Sequence, residues 1–225
     1  MNGNTKLAAV VANAKKAGFP KASIEAAIVR GQGRSPSGAA LENLTIEAMI
    51  PPSVATIIEC QTDSKLKTLQ DVRQLVAKFG GTVTPTTHMF ERRGRIVFEK
   101  SEGVGSHEVL EEAIEAGATD VDEEEDGRVV VYTSPSSTKS AADQLTDLLG
   151  VKVESSDIIW DPDENQKVTI DSEAGAENVQ SFLGRLVALE YAAPSTDLQD
   201  HLQEEPTVQG VYVNANFLDT EAKPS

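Results

Sequence analysis

The first 40 residues carry apolar side chains at helical spacing, with Gly and Pro at the ends of the runs. Residues 4–17 predict a helix that ends at Gly18. Its apolar stripe consists of Leu7, Val10, Val11 and Ala14. A second helix is predicted over 20–30, because proline suits a first helical turn and Gly31 can end the helix. Residues 31–40 have the Gly, Ser and Pro content of a linker, so this first part is too small to hold a core alone.

From residue 44 the apolar pattern changes to short runs that are typical of strands. Strands are predicted over 44–50 and 54–60, with Pro51-Pro52 between them. A helix is predicted over 65–79, closed by Gly80-Gly81. The next predicted elements are a strand ending near Phe90, a turn at Arg92-Arg93-Gly94 and a strand over 95–100.

Residues 106–214 repeat this alternation of helices and strands. The predicted order is a helix from Ser106 to Gly117, a hairpin tip at Asp126-Gly127, a strand over 128–133, a helix from Ser134-Pro135 to Gly150, extended segments over 151–160 and 166–170, a helix over 174–190 and a terminal strand over 207–214. Residues 192–206 are predicted to be loop-like or partly helical.

Short strands that alternate with helices and hairpins favour a ferredoxin-like arrangement over a doubly wound parallel sheet. The run of elements over 54–100 lacks a final helix and strand, which the last helix and the terminal strand can supply. We therefore predict an α+β fold: a short N-terminal helical segment followed by two α/β (ferredoxin-like) domains, the second inserted into the first. The predicted boundaries are 1–40 for a partial helical domain and linker, 41–100 plus 171–217 for the middle domain, 101–170 for the inserted domain and 218–225 for a tail.

Charge is distributed unevenly along the chain. Its 225 residues hold 20 Lys and Arg against 36 Asp and Glu, a formal net charge of −16. Residues 1–40 nevertheless hold six Lys and Arg against Glu25 alone. Clustered cations suit phosphate contacts without base readout, and an ordinary solvated helix face remains the alternative. The candidate nucleic-acid-binding residues are Lys6, Lys15, Lys16, Lys21, Arg30, Arg34, Lys65, Lys67 and Arg73.

No catalytic or metal-binding pattern is visible. His88, His107 and His201 lie in separate segments and lack partners at metal-ligand spacing. Cys60 is the single cysteine and lies in an apolar run, which is typical of a small buried side chain. We therefore predict no catalytic residue, no metal and no cofactor. No apolar run approaches the roughly 20 residues of a membrane span, so no membrane partner is expected.

The acidic run over 120–126 invites a calcium interpretation. An EF-hand loop starting at Asp120 needs Gly at its sixth position and Glu at its twelfth. Those positions hold Glu125 and Val131, so the pattern fails. A solvated hairpin tip is the interpretation we favour.

Five segments resemble the YebC family of translational and transcriptional regulators, in the family's own order. AKKAGFPKASIEAAIVRGQG (14–33) is similar to its "NMPKdnIerAIkrG.G" segment, and residues 57–83 are similar to its "TDN.NRT..evR..f.K.GG" stretch. The other matches are THMFERRGRIVFEK (87–100), DVDEEEDGRVVVYTSP (120–135) and VQGVYVNANF (208–217).

The resemblance implies a helical domain and two α/β domains, with the terminal strand returning to the middle domain. It also implies no enzyme activity. The expected function is translational regulation or activation through ribosomal or messenger RNA, with DNA-binding transcriptional regulation as the alternative. A monomer is expected.

Two departures from the family pattern concern its basic residues. Family members usually begin with a further basic stretch containing "GHSKW", which does not occur here. Ser64 and Lys67 stand where the family has Asn and Arg, and lysine lacks the bidentate geometry of arginine toward phosphate. The expected compartment is the mitochondrion if a leader preceded residue 1, and the cytoplasm otherwise.

Overall fold

The computed structural model describes residues 5–35, 38–101, 105–124, 126–188 and 207–217. Within these residues the helices are α1 (Thr5–Lys16), α2 (Lys21–Gly31), α3 (Lys65–Lys78), α4 (Ser106–Glu115), α5 (Thr138–Leu149) and α6 (Glu173–Ala188). The strands are β1 (Glu42–Ile50), β2 (Val54–Thr62), β3 (Thr82–Val83), β4 (Phe90–Phe98), β5 (Ala118–Glu123), β6 (Val129–Thr133), β7 (Val153–Pro162), β8 (Val168–Ile170), β9 (Val208–Val213) and β10 (Ala215–Phe217). Short 3-10 turns lie at Thr87–Met89 and Glu164–Gln166. The predicted loop-like segment 192–206 lies outside the described residues.

The chain forms two compact units, and the second interrupts the first. Unit 1 comprises Met1–Thr86 and Val168–Ser225, and unit 2 comprises Thr87–Lys167. Each unit joins helices to an antiparallel sheet. The predicted α+β class with one inserted domain is therefore confirmed.

Unit 2 has the complete β–α–β–β–α–β order of a ferredoxin-like fold. Its sheet order is β5-β6-β4-β7, and every neighbouring pair is antiparallel. Alternate residues of β4 and β6 turn toward α4 and α5, since successive strand residues face opposite sides of a sheet. Ile96, Phe98, Val109, Val131 and Leu145 form the centre of this core.

Unit 1 places its last sheet strand beside one of its first. The sheet order is β3-β1-β2-β9, so β2 pairs with β1 on one side and with β9 on the other. The core includes Val72 of α3, Phe182 of α6 and Ile58 of β2. Asn214 holds the end of β9 against β2, because its buried Oδ1 accepts a hydrogen bond from the backbone amide of Ala55 at 2.8 Å. A separate pair, β8 with β10, is parallel, and the sequence pattern did not predict β10.

The predicted boundary between the two domains was wrong for residues 87–100. The sequence suggested a turn at Arg92-Arg93-Gly94 and placed both flanking strands in the middle domain. The structure has one continuous strand, β4, which pairs with β6 and β7 inside unit 2. Position 94 of this strand suits glycine because the hydroxyls of Thr133 and Thr138 occupy the space into which a side chain would project. The chain crosses between units at 86/87 and 167/168.

Helices α1 and α2 contact each other at the start of unit 1, but little of their surface is buried. Ile24 of α2 is buried, with 9% of its surface accessible. The predicted stripe on α1 is not an inward face, because Leu7 and Val10 are exposed. The sequence pattern predicted both helices, but it does not show how much of their surface is buried.

Candidate nucleic-acid interface

The turn between α1 and α2 has a fixed backbone. Gly18 has φ of 83°, a conformation that glycine adopts readily. The Phe19 amide donates to the Ala14 carbonyl and the Gly18 amide to the Lys15 carbonyl, both at 3.1 Å. This is the pair of hydrogen bonds that closes a helix in a Schellman motif. Pro20 then precedes α2, so the two helices join through four ordered residues.

Three exposed lysines flank this turn. Lys15 and Lys16 form the last turn of α1, and Lys21 begins α2. Lys21 pairs with Glu25 at 3.5 Å, but both side chains are largely exposed and such pairs contribute little stability. The two α1 lysines also complement the negative end of the helix dipole. The arrangement therefore presents positive charge to solvent at one end of the helix pair.

Arg30 and Arg34 lie at the opposite end of α2. An α-helix rises 1.5 Å per residue, so Arg30 is about 14 Å along the axis from Lys21. The Nη2 of Arg30 donates to the Gln61 carbonyl of β2 at 3.0 Å, which ties α2 to the sheet. Arg34 is exposed and forms an isolated bridge with Ala40. The first predicted group thus spans both ends of α2, and Arg30 has a structural contact.

An open depression of about 480 Å³ lies where α2 meets the edge of the sheet. It is lined by Ala27, Arg30, Gly31, Gly33, Gln61 and Gln209. The backbone amide of Gln61 donates to the Thr207 carbonyl at 2.8 Å, so this edge joins β2 to the segment before β9. The depression is polar and contains no nucleophile or acid–base pair among its lining residues.

A second group of predicted cations lies on α3. Lys67 and Arg73 are exposed, and Lys65 pairs with Glu42 of β1 at 2.6 Å. Both partners of that pair are about half exposed, at 49% and 62%. Of the remaining predicted residues, Lys6 lies in α1, and its side chain is outside what the structure describes.

Three arginines of unit 2 differ, because carboxylates contact Arg93, Arg95 and Arg128. Arg93 donates to Asp161 at 2.7 Å and lies over the Tyr132 ring at 4.5 Å. Arg95 pairs with Glu124. These side chains are only 19% and 30% exposed, so their charges are offset within the sheet surface.

Arg128 belongs to the same acidic surroundings. Its guanidinium donates to Glu154 and to Asp126, each at 2.8 Å. The hydrogen bond to Glu154 is the main cause that raises the pKa of Arg128, with Asp126 and Glu124 adding to it. A phosphate approaching this surface would compete with bound carboxylates.

The described residues hold no constellation for catalysis or metal binding. His88 and His107 are exposed on separate elements, and His201 lies outside the described residues. Cys60 is buried, and burial raises the pKa of its thiol to about 11, with Glu59 adding to the shift. Across the described residues, no set of three or more His, Cys, Asp or Glu side chains could hold a metal ion. In the same part of the chain, no helix is long and apolar enough to span a membrane.

Sequence reasoning did not single out Phe19. Its side chain is 61% exposed in the turn between the lysines. An aromatic residue between Gly18 and Pro20, with lysines on both sides, is a signal that the sequence does contain.

These features define an α+β protein in which a ferredoxin-like unit interrupts a second sheet unit. A family model described as "TACO1/YebC second and third domain" matches residues 41–192. The chain therefore belongs to the TACO1/YebC family, as its sequence resemblance predicted.

Similar proteins support this assignment over almost the whole chain. A "Probable transcriptional regulatory protein" from Francisella tularensis subsp. holarctica (strain OSU18) is 34% identical over 217 residues, covering 95% of this chain and 78% of the relative. A protein of the same name from Elusimicrobium minutum (strain Pei191) is 30% identical over 222 residues, covering 97% and 80%. The crystal structure of the conserved hypothetical protein Aq1575 from Aquifex aeolicus matches with a TM-score of 0.66 and 30% identity. That match covers 94% of this chain and 79% of the Aquifex chain.

Proposed function

We propose that this chain is a non-enzymatic regulator of translation that contacts ribosomal or messenger RNA through its exposed N-terminal cations. The site comprises Lys15, Lys16 and Lys21 at the α1–α2 turn, with Lys67 and Arg73 of α3 as a second contact. Such contacts require only that cations and shape position the protein on phosphates. We propose that the protein acts in the mitochondrion or the cytoplasm, the two compartments expected from the family resemblance.

The observation that carries this proposal is the difference between the α1–α2 lysines and three arginines of unit 2. The lysines are exposed, whereas Arg93, Arg95 and Arg128 are held by Asp161, Glu124 and Glu154. Replacing a weak surface partner such as Glu25 with a phosphate costs little. The names of the relatives support a regulatory role, and the family resemblance favours translation over transcription.

Co-sedimentation with ribosomes over a range of salt concentrations tests the proposal. The variant Lys15→Glu, Lys16→Glu, Lys21→Glu is expected to bind more weakly and with a shallower salt dependence. If all three lysines contact phosphate, the slope of log affinity against log salt falls by about 2.

A charge-matched control comes from unit 2. Lys100→Glu, Lys139→Glu, Lys152→Glu changes the net charge by the same amount at three exposed positions. This control is expected to keep the wild-type slope. Equal loss in both variants would show that only net charge matters and would contradict the assigned site.

A DNA-binding transcriptional regulator is the second candidate, because the relatives are named probable transcriptional regulatory proteins. Direct readout of DNA requires side chains that reach base edges in a groove. A mobility shift that survives excess nonspecific competitor DNA, in a chain that fails to co-sediment with ribosomes, would favour this candidate.

A further inference from the structure

The turn between α1 and α2 holds an aromatic ring in solvent at a defined position. The Schellman hydrogen bonds fix the Phe19 backbone just beyond the end of α1. A side chain of this type normally buries most of its area in a core. Phe19 instead leaves 61% of its surface exposed.

The charges around this ring indicate what it can bind. Lys15 and Lys16 precede it by four and three residues, Lys21 follows it by two, and all three are exposed. Aromatic rings beside cations are the usual means of binding single-stranded nucleic acid, because bases stack on the ring while cations contact the backbone.

We propose that Phe19 is a stacking platform for an unpaired base of single-stranded RNA, with Lys15, Lys16 and Lys21 contacting the adjacent phosphates. This inference rests on the proposed function and specifies the ligand of its main site. Bases of a duplex already stack on their neighbours, so the ring contributes to binding only where a base is unpaired. The site therefore selects loops, bulges or single strands over duplex RNA.

A membrane surface would require a different pattern. Interfacial helices present a continuous apolar face with cations along the opposite side. Leu7 and Val10 are exposed on α1, but the exposed ring lies beyond the end of that helix, in the turn between the lysines. Three exposed lysines within four residues of one exposed ring favour a nucleotide.

Fluorescence anisotropy with a labelled 12-nucleotide oligo(U) and a 12-base-pair RNA duplex tests this site. Phe19→Leu keeps an apolar side chain but removes the ring, and it is expected to weaken oligo(U) binding on the order of tenfold. Duplex binding is expected to change by less than about twofold, since the lysine contacts remain. Val10→Ala is the matched control, because Val10 is 64% exposed on the adjacent helix α1 and is not aromatic.

A second variant reports stacking directly. Phe19→Trp is expected to retain oligo(U) affinity, and its indole fluorescence should be quenched when oligo(U) is added. Wild-type protein supplies the reference signal, since Trp160 of unit 2 is its single tryptophan. Urea unfolding of Phe19→Leu should match the wild type because the side chain is largely exposed.

Several results would overturn the stacking site. These are oligo(U) binding by Phe19→Leu at wild-type affinity, an equal loss on oligo(U) and duplex, or an unquenched indole in Phe19→Trp. Loss of binding to anionic phosphatidylglycerol vesicles, with unchanged RNA binding, would instead assign Phe19 to a membrane surface. If the Lys15, Lys16, Lys21 charge reversal abolishes oligo(U) binding while Phe19→Leu has no effect, the stacking site fails and the proposed function survives. If neither variant changes RNA or ribosome binding, both fail.

Discussion

Cys60 illustrates how a buried position changes the chemistry of a single residue. It lies in β2 with 3% of its surface accessible, and burial is the main cause that raises its pKa from 9.0 to about 11. The thiolate is the reactive form of cysteine, so this thiol is expected to be inert near neutral pH. Its position supports a packing role.

The same pKa shift predicts a pH dependence of stability. Below pH 9 the thiol is protonated in both states, and the folded state keeps its full advantage. As the pH rises from about 9 to about 11, the unfolded chain loses the proton first, so the free energy of unfolding falls. The rise in pKa from 9.0 to about 11 corresponds to a loss of about 3 kcal/mol, which is complete only above pH 11.

Urea unfolding at pH 8 and pH 11 measures this loss, with Cys60→Ala as the control. Lysine and tyrosine titrate in both proteins, so the difference between the two pH profiles isolates Cys60. Wild type is expected to lose more stability than the variant. Parallel profiles would show that the thiol does not ionise differently on folding.

At the scale of elements, β4 shows why a local pattern can mislead. Glycine beside charged residues suggests a turn, which is what Arg92-Arg93-Gly94 indicated from sequence. In the structure these arginines pair with carboxylates from other parts of the sheet. Arg93 pairs with Asp161 of β7, and Arg95 pairs with Glu124 just beyond β5. Gly94 is required by the side chains of Thr133 and Thr138. None of these neighbours is visible in a window of ten residues.

This packing predicts the effect of a methyl group at Gly94. A Cβ there would overlap the hydroxyl oxygens of Thr138 and Thr133 and lie 2.8 Å from Thr138 Cβ. Gly94→Ala is expected to destabilise unit 2 by about 1–3 kcal/mol, the usual cost of overpacking. Trp160 fluorescence during urea unfolding reports the transition of this unit.

Gly184→Ala in α6 is the matched control. A Cβ at Gly184 meets nothing within 4 Å, and the residue is exposed in the helix. The substitution is expected to stabilise unit 1 by about 0.5–1 kcal/mol through helix propensity. Far-ultraviolet circular dichroism during urea unfolding measures this change. A Gly94→Ala protein as stable as wild type would mean that α5 moves aside without cost.

Other elements were predictable because their signals are local. The helical spacing of apolar residues gave α3, α5 and α6, and the return of the terminal strand followed from counting the strands of an incomplete unit. The parallel pair of β8 and β10 was missed because both strands have three residues and lie far apart in the sequence. For the candidate site, sequence located the exposed lysines of α1. It could not show that Arg30 ties α2 to Gln61, because that contact joins residues 31 positions apart.

At the scale of the whole molecule, positive charge is concentrated in the first part of unit 1. Residues 1–86 hold ten Lys and Arg against six Asp and Glu, whereas residues 168–225 of the same unit hold two against ten and unit 2 holds eight against 20. An anionic surface repels phosphates, and a local cationic group attracts them. The molecule is therefore expected to contact RNA with one part of its surface and to keep unit 2 away from the phosphate backbone.

Ultraviolet crosslinking of the ribosome-bound chain, followed by mass spectrometry of its peptides, tests this account most directly. It predicts RNA adducts on peptides from residues 5–35 and 63–78, with none on peptides from 87–167. Adducts confined to 87–167 would contradict it, because the acidic unit would then be the part that contacts RNA.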